Sequence, residues 1–205
     1  MIWCSIRRVG KPAPDAASLI KFRKAAARSL PSPIGVYALC DLDGTPMYVG
    51  QSTDGLRARI NRHITSARSD IIANRTIDVW EVAYVTCWQV DDAAQLNPLE
   101  AHLFHEFDAK SQLMNGTVPA KPKQKVGFKV QKPETIQILP NEEIASRKRV
   151  TLRLTRQAKH FGDLLDYFLV VKDSSKVFRS LQAHFERLQR YFAGLGGDPD
   201  ADVDE

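Results

Sequence analysis

The stretch GVYALCDLDGTPMYVGQS (35–52) leaves this chain few ways to fold. Two runs rich in apolar residues, GVYALCDL and PMYVGQS, flank Asp43-Gly44-Thr45. Asp-Gly accepts the positive φ of a tight turn, so the runs are expected to pair as antiparallel strands. Side chains two apart on a strand share a face, and a short hairpin brings Tyr37 and Tyr48 close to each other. TDGLRARINRHITSARS (53–69) then reads as a helix entered through Asp54 and Gly55. VWEVAYVTCWQV (79–90) is β-branched and aromatic and reads as a third strand. Asp91 or Asp92 caps a helix over 91–108, whose Leu96, Leu99, Leu103, Phe104 and Phe107 recur at spacings of three and four. The expected class is α+β, a three-stranded antiparallel sheet flanked by helices, with a C-terminal helical segment.

Further segments surround this unit. DAASLIKFRKAAARS (15–29) reads as a basic helix stopped by Pro31 and Pro33. VPAKPKQKVGFKVQKP (118–133) holds five lysines, three prolines and no acid, which suits a basic arm better than core. ETIQILP (134–140) is a candidate short strand. Two amphipathic helices follow, over 157–171 and 174–192, the second with Phe178, Leu181, Phe185, Leu188 and Phe192 at 3-4-3-4 spacing. Docking of these helices onto the core is preferred over a homodimer seam, because two heptads are too few for a coiled coil. The expected divisions are an N-terminal basic extension (1–33), the α+β domain (34–116), a basic arm or linker (117–140), a helical segment (141–193) and a disordered acidic tail (194–205).

Charge alternates along the chain. Residues 1–75 carry a net +7, 76–116 a net −6, 117–160 a net +8, and 161–205 a net −4. Basic surfaces attract polyanions, of which nucleic acid is the commonest, although a plain solvated face has the same composition. Cys4, Cys40 and Cys87 lie far apart, with no CxxC pair, which argues against a disulfide framework or a structural zinc site. With no apolar leader and no stretch near membrane-span length, a cytoplasmic, non-membrane protein is expected. No phosphate-binding glycine loop and no serine elbow is present.

Gly35-Val36-Tyr37, then ten residues, then Tyr48-Val49-Gly50 resembles the signature of the GIY-YIG nuclease superfamily. The likeness continues through Arg59 and His63 in LRARINRH, Glu100 in PLEAHLFHEF and Asn115 in LMNG, over about residues 34–116. It implies a DNA endonuclease that acts, most naturally on double-stranded DNA, through one divalent ion, Mg²⁺ or Mn²⁺, bound by Glu100. It also implies that a tyrosine takes part in activating water. Many members carry a lysine after the second motif's glycine; here Gln51 stands there. That shifts activation of the phenol onto Arg59, Arg62 and the metal.

The chemistry suits those residue types. Phosphodiester hydrolysis needs a proton acceptor for water, a countercharge for the phosphorane-like state and help for the leaving oxygen. A free phenol, with a pKa near 10, is a poor base unless cations lower it, and either Tyr37 or Tyr48 could serve. Arg59 can supply that charge or grip the phosphate. His63, four residues on and on the same side of the helix, can relay a proton. Asn115 can orient the phosphate or the metal shell. Arg57 and Arg62, the arm lysines Lys121, Lys123, Lys125, Lys129 and Lys132, and Arg147, Lys148 and Arg149 are candidate phosphate contacts, with Arg153 and Arg156 behind them. A catalytically inactive nucleic-acid-binding adaptor and an RNA-directed nuclease are the alternatives, the latter separable by a 2′-OH preference.

Overall fold

The computed structural model describes residues 16–65, 76–123, 126–171 and 173–196. The start of the N-terminal extension, residues 66–69 of the expected second helix, Lys125 and the tail from 197 onward lie outside them. In chain order the elements are α1 (Ala16–Ser29), β1 (Gly35–Cys40), β2 (Pro46–Ser52), α2 (Leu56–Thr65), β3 (Tyr84–Gln89), α3 (Leu96–Asp108), β4 (Glu134–Gln137), α4 (Asn141–Lys148), α5 (Val150–Asp166) and α6 (Ser175–Ala193). The hairpin turn forms as its sequence requires. Gly44 takes φ 79°, and the Asp41 carboxylate accepts the amides of Asp43 and Thr45 at 2.9 and 2.8 Å.

The sheet is antiparallel and has four strands, in the order β2-β1-β3-β4, rather than the three expected. The fourth comes from ETIQ, which pairs with β3 from Tyr84↔Gln137 to Cys87↔Glu134. It covers the edge that β3 would otherwise expose. The stretch 117–140 is therefore laid against the domain. Phe128 and Val130 pack on the core, the His105 ring meets the Pro119 carbonyl at 2.9 Å, and Gln131 donates to Asp91 at 3.1 Å. The apolar residues of that segment give it a place to dock, while Lys121, Lys123, Lys129 and Lys132 stay outside.

Strand alternation sorts the core into two layers. Tyr37, Leu39, Val85 and Cys87 face Leu56, Ile60 and Ile64 of α2, with Ala27 of α1 and Ala183 of α6 completing that side. Val36, Ala38, Val49 and Trp88 face Leu96, Leu99, Leu103 and Phe104 of α3.

The C-terminal helices dock on the domain. Ser174 caps α6 by accepting the Val177 amide at 3.3 Å. The Ser180 hydroxyl donates to the Met114 carbonyl at 2.5 Å, and the His184 ring bonds the Thr76 carbonyl at 3.0 Å. Arg187, 2% exposed, pairs with Asp41 at 2.6 Å and donates to the Pro46 carbonyl at 2.7 Å. No helix among the described residues is long and apolar enough to cross a membrane.

Candidate active site

The β1–β2 register sets Tyr37 opposite Gly50 and Leu39 opposite Tyr48. Both phenols thus stand on the face that α2 covers. Gly50 is their floor: a Cβ there would lie 2.6 Å from the Tyr37 oxygen and 2.8 Å from the Tyr48 ring. Any side chain would push the two rings off the strand. From α2, His63 brings its Nε2 to 2.6 Å from the Tyr37 hydroxyl. Ring centroids lie 6.3 Å apart for Tyr37–Tyr48, 5.7 Å for Tyr37–His63 and 6.2 Å for Tyr48–His63. Tyr37 and His63 are buried, and Tyr48 is half-buried, so Tyr48 is the phenol of this cluster that reaches solvent. Arg59 lies one turn before His63 on the same side of α2, also half-buried.

Glu100 comes from α3, on the other face of the sheet, where that helix packs along the edge strand β2. Burial raises its carboxyl above the usual range, and among the described residues no hydrogen bond or ion pair engages it. One turn earlier, Asn97 accepts the Gln51 amide at 2.7 Å, and the Gln51 Oε1 is buried without a hydrogen-bond partner among the described residues. Asn115 is turned onto the backbone of β2. Its Oδ1 accepts the Val49 amide at 3.0 Å and its Nδ2 donates to the Val49 carbonyl at 2.6 Å. It thereby satisfies the open edge as a neighbouring strand would. Its own carbonyl accepts from Arg179 of α6 at 3.0 Å.

The donor set near β2 fits a hard divalent ion that keeps most of its water. One unengaged carboxylate and one orphaned amide oxygen are oxygen ligands of the kind Mg²⁺ or Mn²⁺ takes. No group of three or more His, Cys, Asp or Glu side chains among the described residues is placed to hold an ion. Water and a substrate phosphate would have to supply the rest.

The expected phosphate contacts divide. Lys121, Lys123, Lys129 and Lys132 are exposed, as are Arg57 and Arg62 on α2. Lys148 pairs with Asp43 at 3.1 Å, and Arg149 folds back onto Ser146. Arg147 needs a correction: it is 5% exposed, pairs with Glu143 at 2.7 Å, donates to the Trp80 carbonyl and stacks on that ring. No surface remains on it for a phosphate. Arg153 binds Glu81 and Asp43 beneath the Tyr191 ring, and Arg156 binds Asp78 at 2.7 Å. The role of Gly50 as floor and the buried oxygen of Gln51, unbonded among the described residues, were missed in the sequence. The glycine inside YVG was the available signal for the first.

Residues 33–115 match the family model described as the GIY-YIG catalytic domain. No curated protein and no solved structure matches the chain. The tyrosine pair on its glycine floor, with the histidine against it, falls wholly within the matched span, and residues 33–115 of this chain are a GIY-YIG domain.

Proposed function

We propose that this chain is a metal-dependent DNA endonuclease acting on double-stranded DNA. The observation that carries the reading is the Tyr37–His63 hydrogen bond at 2.6 Å, with Tyr48 beside it at the solvent boundary. A family model of a nuclease-type domain supports the same class.

In this reading Tyr48 is the phenol that water can reach, and it takes the proton as the water attacks phosphorus. Tyr37 and His63, hydrogen-bonded and buried, hold the Tyr48 ring in place and offer a route for the proton onward. Arg59 supplies the cationic charge that favours a phenolate and grips the phosphate. Glu100 would hold one Mg²⁺ or Mn²⁺, with the Gln51 oxygen close by; when bound, the ion supplies positive charge for the phosphate and the leaving 3′-oxygen. Asn115, engaged with Val49, acts as a positioning residue that fixes β2. Phosphate contacts fall to the exposed Arg57, Arg62, Lys121, Lys123, Lys129 and Lys132, with Arg147 withdrawn. α6 also leaves Phe178, Phe185 and Phe192 exposed at seven-residue spacing, which supports a homodimer that would present two sites to two strands. Sedimentation should then give a dimer that Phe185→Glu converts to monomer.

The test is cleavage of plasmid DNA with Mg²⁺, Mn²⁺ or EDTA. Glu100→Ala should abolish metal-dependent cutting and keep DNA binding, and Tyr48→Phe should slow cutting by about 10²-fold or more. Full activity in Glu100→Ala removes the site assignment. Salt-sensitive binding by a wild type that never cuts would favour the adaptor, and preference for RNA would redirect the substrate.

A further inference from the structure

We propose that the cleft between α1 and α2 is a second binding site for nucleic-acid backbone, behind the helix that carries Arg59 and His63. The inference rests on the polyanion substrate proposed above and extends it to a cleft whose α1 wall, with Lys24 and Arg28, precedes the matched residues. The cleft has a volume of about 530 Å³, and Lys24, Arg28, Ser32, Asp54, Gly55 and Arg57 are among the residues lining it.

Its walls are fixed to each other. Gly55 takes φ 104°, and a Cβ there would lie 2.5 Å from the Ser32 carbonyl oxygen. The amides of Leu56 and Arg57 bond the carbonyls of Pro33 and Pro31, each at 3.0 Å, and Arg57 Nε donates to the Leu30 carbonyl at 2.9 Å. The chain leaving α1 is thereby stitched to the start of α2, and the cleft is a preformed feature. These bonds also occupy the first amides of α2, so any anion would be met by side chains.

Those side chains are cationic and little compensated. Lys24 and Arg28 are exposed, four apart on one face of a helix segment that contains no acid. Like charges at that spacing destabilise a helix. Among the described residues no ion pair neutralises either one. The acid in the cleft, Asp54, already meets Arg62 at 3.5 Å and the Thr53 hydroxyl at 2.8 Å. A phosphate entering the cleft relieves the repulsion and releases counterions.

Position favours the same ligand. Arg57 and Asn61 project from the side of α2 roughly opposite Arg59 and His63. A helix is about 10–12 Å across, so the cleft stands on the order of three nucleotides of a single strand from the hydrolytic face. Such a contact sets the register of the strand without reading its bases.

The experiment measures binding of the full-length chain to a labelled duplex in EDTA, as a function of salt, so that no chemistry intervenes. In the double variant Lys24→Gln/Arg28→Gln the slope of log affinity against log salt should become shallower by about two. A control of equal charge change, Lys110→Gln/Lys159→Gln, should leave the slope within about 0.5, since those lysines pair with Glu106 and Asp163. An unchanged slope in the first variant, or equal change in both, overturns the cleft. Wild type that cuts DNA while the first variant keeps its slope sinks the cleft alone. Wild type that binds no nucleic acid at low salt sinks the nuclease reading as well.

Discussion

Helices α1 and α2 and helices α4 and α5 look alike in sequence, each rich in arginine and lysine, and they differ in what meets those side chains. Lys24, Arg28 and Arg57 stand exposed. Arg147 and Arg153 are 5% and 7% exposed, and they reach Glu143, Glu81 and Asp43. Arg187 of α6 joins them through Asp41. The acids that receive Arg153, Arg156 and Arg187 come from the hairpin turn and from the segment that leads into β3. In the first region Lys24 and Arg28 meet no carboxylate among the described residues; in the second the cations are paired and fasten the C-terminal helices to the domain. Local net charge therefore does not locate a phosphate site, because a buried cation must be paired within the fold.

The largest effect that would sharpen this contrast is at Arg187. Arg187→Ala strips Asp41 of its closest cation inside the protein, and urea unfolding should show a loss of about 3–5 kcal/mol. A loss below about 1 kcal/mol would place Arg187 with the solvent-facing cations.

His184 comes next. Burial, with the His160 ring at 4.8 Å and nearby Arg187 adding to it, lowers its pKa from 6.5 to about 3. Asp78 and the Thr76 carbonyl oppose that shift. The folded state holds the neutral ring, so its contribution is full above pH 6.5 and is lost as pH falls toward the folded value. By pH 5 the loss should be roughly 1–2 kcal/mol. His184→Gln keeps an amide donor for Thr76 and should flatten that part of the stability–pH curve; an unchanged curve would assign the acid sensitivity elsewhere.

The smallest effect belongs to the exposed region. Lys24→Gln/Arg28→Gln should leave unfolding stability within about 0.5 kcal/mol, because neither side chain holds the fold. A loss near that of Arg187→Ala would erase the distinction between the two regions.

What was legible in the sequence was local. The Asp-Gly turn fixed the hairpin, strand alternation put Tyr37 and Tyr48 on one face, and four-residue spacing put Arg59 and His63 on one side of α2. The helices of the domain followed from their apolar spacing, although Asp92 caps a short 3-10 turn over Ala93–Gln95 and α3 begins only at Leu96. Illegible were pairings between distant residues. Arg153 and Glu81 are 72 positions apart, and Arg187 and Asp41 are 146 apart. From sequence, the basic run 147–156 reads as a row of phosphate contacts because, Glu143 beside Arg147 apart, its counter-charges Asp43, Asp78 and Glu81 lie far away along the chain. The signal for them was present: Asp41 lies between Cys40 and Leu42, and Glu81 between Trp80 and Val82, where an unpaired carboxylate would not be tolerated. The short strand within 134–140 was legible, but its place beside β3 was not, for a related reason: the partner it pairs with lies some fifty positions earlier. The sequence offers Asn115 as a residue that orients the phosphate or the metal shell; its two hydrogen bonds to Val49, 66 positions away, were not legible there.

α6 touches the domain at the turn of the tyrosine hairpin and at the segment that lies along β2. Arg187 reaches Asp41 and the Pro46 carbonyl, while Ser180 and Arg179 hold the carbonyls of Met114 and Asn115. A ribosome makes these contacts last, at about 5–20 residues per second. The tyrosine hairpin would therefore leave the exit tunnel several seconds before its final supports exist. A nascent chain would pass that interval with its tyrosine hairpin unsupported, and a product truncated before α6 should be unstable.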